Sequence, residues 1–346
     1  MAHKDENAPL LKYLDELVED LHKNVNKALR DFDTDGIHDA RVATRRLRAA
    51  TKLLAPVLSV DRRKPFDKVL KKLRRRLGPL RDLDVMVGNL SKLASGGANA
   101  SAAGYMTDEL SRQQGEERSR AQKKASPADF LSKLGCWYPL REEIAESTDA
   151  IDSLLSESLH LQFDAFSEQA GKLGNDPAAH RNDPHQLRIA GKSLRYTLEM
   201  AKEQGHKLPG SILKAFKKMQ EALGDWHDDV VLVQCAMGMS LDQMLAYHRP
   251  ETQDQVLKLS RFFLAKSERE LSKFAKLWQA HGDDVAEAIR GRFPLTQSAT
   301  EATKAAETEE SGGVRAASEP QTDPGPSDSG DTAGPEAPSP DAPSNA

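Results

Sequence analysis

The sequence predicts an all-α protein made of two related halves. Three observations carry this. Helix-forming residues dominate, aromatics are only 5% of the chain, and long β-branched runs are absent. Apolar residues recur at three- and four-residue steps through most of the first 290 positions. A basic segment at residues 37–54 returns, with its apolar positions, after a shift of 147.

The elements follow in order. Residues 8–30 read as an amphipathic helix through Leu10, Leu14, Leu17, Leu21, Val25 and Leu29. Residues 31–36 form a polar break, in which Asp33, Thr34 or Asp35 supplies the next cap. A basic helix then runs to about Ala55, where Pro56 kinks or ends it. A third helix starts near Asp61 and stops at Gly78-Pro79, a glycine followed by a residue that disfavours helix continuation. A fourth covers about 80–93, its opening acids Asp82 and Asp84 suiting the positive end of the helix dipole. Residues 95–104 (SGGANASAAG) read as a flexible connection, followed by helices at 105–125 and 128–146. Residues 148–173 repeat the role of the first helix, and 174–184 form a loop rich in Pro and Asn. Further helices are expected at 185–204, 210–223, 226–247 and 251–290.

On a helical wheel His38, Arg41, Arg45, Arg48 and Lys52 share one face, and Ala40, Ala43, Leu47, Ala50 and Leu54 share the opposite one. A solvated surface helix would look similar, but no acid lies on this ribbon to pair with its cations. The ribbon also recurs. His185, Arg188, Lys192 and Arg195 match His38, Arg41, Arg45 and Arg48, and Leu187, Ala190 and Leu194 match the core stripe. On the next helix Lys64, Lys68, Lys71, Lys72 and Arg75 lie on one side. At a shift of 146, Lys68, Lys71 and Lys72 recur as Lys214, Lys217 and Lys218, Leu77-Gly78 as Leu223-Gly224, and Asp82 as Asp228. A repeat that keeps basic as well as apolar positions argues for a shared ligand. Its period is too long for a solenoid.

The formal net charge of −4 conceals strong segregation. Residues 297–346 carry −8, residues 38–81 carry +12 and residues 185–218 carry +6. A focused positive surface recruits polyanions. The acidic tail, rich in Pro, Ser, Gly and Ala with no aromatic, cannot bury enough surface to offset chain entropy and is expected to be disordered. No apolar stretch approaches the roughly 20 residues that span a bilayer. The first residues, MAHKDENAPL, carry charges and no apolar core, and no secretory signal is expected there. Two cysteines, Cys136 and Cys235, are too few for a disulfide framework and suit a reducing cytosol as buried thiols.

The two His-x-x-Arg-x-x-x-Arg/Lys-x-x-Arg ribbons and the two Leu-Gly-…-Asp elements together resemble the CHAD family, the conserved-histidine α-helical domains. The residues concerned are His38, Arg41, Arg45 and Arg48; Leu77, Gly78, Arg81, Asp82 and Asp84; His185, Arg188, Lys192, Arg195 and Tyr196; and Leu223, Gly224 and Asp228. The similarity spans roughly residues 8–290. It implies two pseudo-symmetric four-helix bundles with a basic cleft between them, here 1–147 and 148–296, followed by the tail at 297–346. It further implies binding of inorganic polyphosphate and association with polyphosphate granules in a bacterial cytosol. CHAD domains are often fused to a CYTH domain, whose pattern is absent, so the domain is expected to stand alone. The second half departs from the first where Gln220 replaces Arg74 and Glu221 replaces Arg75, which implies an asymmetric cleft.

The chemistry fits such a ligand. A linear polyphosphate has closely spaced charges and no bases to read. Helical steps of three and four residues space cations by about 4.5–6 Å. Arginine grips phosphate with two-pronged hydrogen bonds and lysine supplies a mobile charge. The candidate polyphosphate-binding set is therefore His38, Arg41, Arg45, Arg48, Lys52, Lys68, Lys71, Lys72, Arg75, His185, Arg188, Lys192, Arg195, Tyr196, Lys214, Lys217 and Lys218. His38 and His185 either donate to phosphate or bond the fold, and Tyr196 either donates to ligand or packs. No cofactor, metal site or catalytic residue is expected. The run Asp225-Trp226-His227-Asp228-Asp229 points its acids in different directions, so capping and dipole compensation explain it better than a metal. Asp82 and Asp228 also suit ion pairs that hold the ribbons in place.

Three rivals remain. A nucleic-acid binder should interleave base-reading or stacking aromatics with its basic residues, and the four basic helices offer only Phe66, Tyr196 and Phe216. A phosphoanhydride enzyme should show a phosphate loop or a carboxylate set for metal. A granule-surface scaffold would dock lipid or protein on the basic faces instead.

Overall fold

The computed structural model describes residues 8–124, 126–175 and 184–295. These lie in one compact unit, Met1–Ala299. The tail from residue 296, expected to be disordered, and most of the 174–184 loop fall outside the described residues. Among the described residues every regular element is helical: α1 (Pro9–Asn26), α2 (Thr34–Leu53), α3 (Val60–Ala94), α4 (Ala100–Lys124), α5 (Pro127–Leu134), α6 (Trp137–Glu146), α7 (Ile151–Asn175), α8 (Pro184–Glu203), α9 (Gly210–Ser240), α10 (Gln243–His248) and α11 (Pro250–Arg292).

The duplication is visible in the packing. α1 lies on α2, and α7 lies on α8; α3 folds back on α4, and α9 on α11. α1–α4 and α7–α9 with α11 are thus the two related sets of four helices. The large core joins them. It runs from Leu14, Leu21 and Leu47 through Phe66 and Leu73 to Phe163, Phe166, Leu194 and Phe274. A second, smaller core lies where the two long hairpins meet, formed by Leu83, Leu90, Met106, Leu110, Leu232, Leu259 and Phe263. Burial of these apolar stripes, rather than helix propensity, is what holds helices of this kind.

Asp33 is the cap of α2, its carboxylate accepting from the Gly36 amide at 2.7 Å. α2 ends at Leu53 and a 3-10 turn holds Pro56, as the proline suggested. Two expected breaks do not occur. α3 continues through Gly78-Pro79 for 35 residues, and α9 continues through Gly224 for 31. Pro79 is exposed, while Leu73, Leu77, Leu80 and Leu83 on either side are all buried. The continuous apolar stripe outweighs the one backbone hydrogen bond that proline removes. In the other direction, the helix expected over 128–146 is two, α5 and α6, separated by a turn at Gly135-Cys136. The connection at 95–104 is shorter than expected, because α4 already starts at Ala100.

Candidate functional site

The uninterrupted course of α3 and α9 changes what their acids do. Asp82, Asp84, Asp228 and Asp229 lie far from any helix N-terminus, so the capping reading is corrected. They face cations instead. Asp82 sits 3.5 Å from Arg41, whose side chain is only 16% exposed. Asp228 attracts Arg188, its repeat counterpart. Asp84 accepts from Gln114 at 2.5 Å and faces Arg118, while Asp229 accepts from Lys266 at 2.8 Å. Each half therefore holds one ribbon arginine from α3 or α9 and ties its long hairpin with a second acid. Glycine serves the same arrangement. A side chain at Gly78 would meet the Arg41 guanidinium at 3.2 Å, whereas at Gly224 the space is open.

That space is part of a cavity of about 360 Å³ lined from three helices. α2 contributes His38, Val42 and Arg45; α8 contributes Arg188, Gly191, Lys192, Arg195 and Tyr196; α9 contributes Lys217, Gln220, Glu221, Leu223, Gly224, Asp225 and Asp228. Both ribbons thus meet at one opening. Gly191 is buried against Phe166, which a Cβ would approach to 3.0 Å, so α8 packs closely on α7. Across the halves, Glu199 accepts from Arg46 at 2.8 Å and the Leu10 amide donates to Gln204 at 3.2 Å; within α8, Glu199 also accepts from Arg195 at 2.8 Å. Tyr13, buried beside Arg46 and Glu199, has its hydroxyl pushed up to about 12, chiefly by burial.

Cations outnumber acids in this cavity, whose lining includes Glu221, Asp225 and Asp228, the last two pushed up first by burial. Lys192 is pushed down to about 7, first by burial and then by Arg188 and Arg45. Burial likewise lowers Arg41 and Arg188, with neighbouring arginines adding to it. His38 is lowered by burial and by Arg81. His227 falls to about 4 through burial, Arg188, Lys192 and His185, whose ring centroid is 5.8 Å away. The Nε atoms of Arg41, Arg45 and Arg188 are buried and have no hydrogen-bond partner among the described residues. Buried donors of this kind are rare and each costs its lost hydration.

Not every candidate residue lines this cavity. His38, Arg45, Arg188, Lys192, Arg195, Tyr196 and Lys217 do. Arg41 lies directly behind, within electrostatic reach of Arg45 and Lys192. His185 is exposed beside His227 at the start of α8, and Arg48 neighbours Arg74. Lys52, Lys71, Arg75, Lys214 and Lys218 are exposed on α2, α3 and α9. Lys68 and Lys72 border a different, mainly apolar pocket with Pro65, Val69, Phe130 and Cys136; Lys72 also pairs with Asp129 at 3.8 Å. Gln220 lines the cavity, and Arg81 and His227 lie within electrostatic reach of its His38, Arg188 and Lys192, although the candidate set omits all three. The repeat could have found Arg81 and His227, since His227 stands where the first half has Arg81. Gln220 turns its amide onto the Gly191 carbonyl, a contact that only the packing reveals.

Cys136 and Cys235 are unpaired and half-buried. Burial pushes the Cys235 thiol up to about 11 and raises Cys136, so neither is activated. No group of three or more His, Cys, Asp or Glu suited to a metal occurs among the described residues, and none of their helices is long and apolar enough to cross a membrane.

The family model of the CHAD domain matches residues 12–236. Among solved structures, the CHAD domain from the plant Ricinus communis superimposes with a TM-score of 0.56 at 20% identity, covering 79% of this chain and 91% of that one. PptA from Streptomyces chartreusis gives a TM-score of 0.51 at 16% identity, over 78% and 98% of the two chains. No curated protein matches the sequence.

Proposed function

The chain belongs to the CHAD domain family, and from that premise we propose that it binds inorganic polyphosphate in the cavity between its halves without turning it over. The observation that carries this reading is the meeting of Arg45, Arg188, Lys192 and Arg195 around one opening, with the buried Nε donors of Arg45 and Arg188 unpartnered among the described residues. A run of phosphates supplies acceptors for those donors and a counter-charge for Lys192, which burial first and then Arg188 and Arg45 depress. The ligand has no feature that demands base readers, and the cavity presents one aromatic, Tyr196. Its lining offers cations beside Glu221, paired with Lys217, and Asp228, facing Arg188, and includes no Ser, Thr or Cys nucleophile. Binding, in a bacterial cytosol and at the surface of polyphosphate granules, is the role this supports.

The test is direct titration of the purified protein with long-chain polyphosphate, alongside a variant with Arg45→Ala and Arg188→Ala. Wild-type protein should bind, and the variant should lose at least about 100-fold in affinity while keeping its helical spectrum, since two charged contacts are removed. Duplex DNA at equal phosphate concentration should compete poorly. No phosphate should be released with Mg²⁺ or Mn²⁺. Binding unaffected by the two changes would overturn the assignment.

A further inference from the structure

A second pocket, of about 280 Å³, opens between α8 and α9 next to the cationic cavity and shares Arg195, Lys217 and Gln220 with it. Its character is different. Leu198, Leu208, Leu213 and Phe216 supply apolar walls, with Lys202 among the other lining residues. Phe216 is buried and held edge-on against Phe166, with ring centroids 5.6 Å apart.

The first half has built something else at the same place. By the repeat, Leu198 corresponds to Thr51 and Leu213 to Asp67. There the Thr51 hydroxyl donates to the Asp67 carboxylate at 2.7 Å, and Arg63 approaches the same carboxylate at 4.0 Å. One copy is thus closed by a polar pair carrying a negative charge. The other is apolar, uncharged at those two positions and continuous with the anion cavity.

Resting on the polyphosphate reading of that cavity, we propose that the two pockets form one bipartite site for a nucleoside polyphosphate. The phosphate chain enters the cationic cavity, and the base occupies the apolar pocket. Arg195 and Lys217, shared by both, lie where the chain crosses from one to the other. A base suits the second pocket better than an alkyl chain, because Glu199, His206 and Gln220 place polar groups among the apolar walls. Glu199 is held by Arg46 and Arg195, and His206 contacts Asp152 at 3.0 Å, so these groups are fixed rather than free to collapse inward.

The experiment compares calorimetric binding of ATP and of inorganic tripolyphosphate, both without divalent metal, to the full chain. ATP carries one fewer negative charge, so electrostatics alone favours tripolyphosphate. ATP should nevertheless bind about tenfold more tightly, the gain expected from enclosing and stacking one base. A variant with Leu198→Thr and Leu213→Asn, copying the polarity of the first half without its charge, should lose that preference and keep its affinity for tripolyphosphate. Equal or weaker binding of ATP by the wild-type protein would overturn the bipartite site whether or not the variant folds. So would a preference that survives in a folded variant. If tripolyphosphate binds and ATP gains nothing, the bipartite site alone falls; if neither binds, the anion cavity falls with it.

Discussion

Lys192 shows how the cavity couples charge to both stability and binding. Its folded value of about 7 lies below the ordinary 10.5, so between these limits the unfolded chain holds a proton that the folded chain lacks. Stability contributed by this group therefore rises with pH across that window and is lowest below it. Lys192→Met should raise the melting temperature at pH 7 by about 2–4 °C, as expected for relief of roughly 1 kcal/mol in a chain of this size, yet weaken polyphosphate binding. A lowered melting temperature would show that the lysine stabilises the unliganded fold. A bound polyanion restores the charged form, so binding at pH 8 should take up protons, measurable by titration in buffers of different ionisation enthalpy. Lys192→Arg should remove most of that uptake. His227 follows the same rule at lower pH: its folded value of about 4 lies below the ordinary 6.5, so its contribution is lost as pH falls from about 6.5 to about 4. Gly224 offers a test without any change of charge. Nothing lies within 4 Å of a Cβ placed there and the cavity opens beyond it, so Gly224→Leu should fold normally and gain about 0.5–1 kcal/mol of helix stability in a denaturant melt. By filling the cavity it should also reduce polyphosphate affinity at least about tenfold, a loss of about 1.4 kcal/mol.

At the scale of elements, the long helices α3 and α9 explain both what the sequence made legible and what it hid. Amphipathic stripes located α1, α2, α7 and α8 closely, because each is a single uninterrupted run with its own ending. Gly78-Pro79 is a strong local stop, and only tertiary burial of Leu77, Leu80 and Leu83 overrides it. Taking the helix to end there made Asp82 and Asp84 look like dipole partners. The ion pairing expected of Asp82 and Asp228 with the ribbons is what the structure shows, while the contacts of Asp84 with Gln114 and Arg118 went unseen. Pro79→Ala should restore the missing backbone bond and raise stability by about 1–3 kcal/mol in a denaturant melt; a loss would mean the local bend itself serves the packing. The Asp229–Lys266 pair ties α9 to α11 with the aspartate side chain only 3% exposed. Lys266→Ala strands that carboxylate and should cost about 1–3 kcal/mol by the same measurement. In the first half Asp84, with Gln114 and Arg118, ties α3 to α4, but at the shift of 146 Asp84 falls on Val230 and Asp229 on Leu83, so the repeat did not announce the second tie.

For the whole molecule, the repeat at shifts of 147 and 146 residues carried most of the information. It marked two halves, identified the ribbon residues His38, Arg45, Arg188, Lys192 and Arg195, and directed attention to the glycines. The sequence could not say which cations converge. Helical wheels place Lys68 and Lys72 on a basic face as readily as Arg45, yet those lysines border a pocket beside Phe130 while Arg45 meets Arg188 and Lys192. Convergence depends on the joint between the halves, where Glu199 on α8 binds Arg46 on α2, and no periodicity encodes that contact. The central claim is that one polyanion engages both ribbons at a single opening. The most direct measurement is the calorimetric stoichiometry of a short, defined-length polyphosphate with the wild-type protein, with Arg45→Ala and with Arg188→Ala. The account predicts one bound chain per protein and a loss of affinity for that same event in each variant. Two independent sites, one abolished by each change, would contradict it.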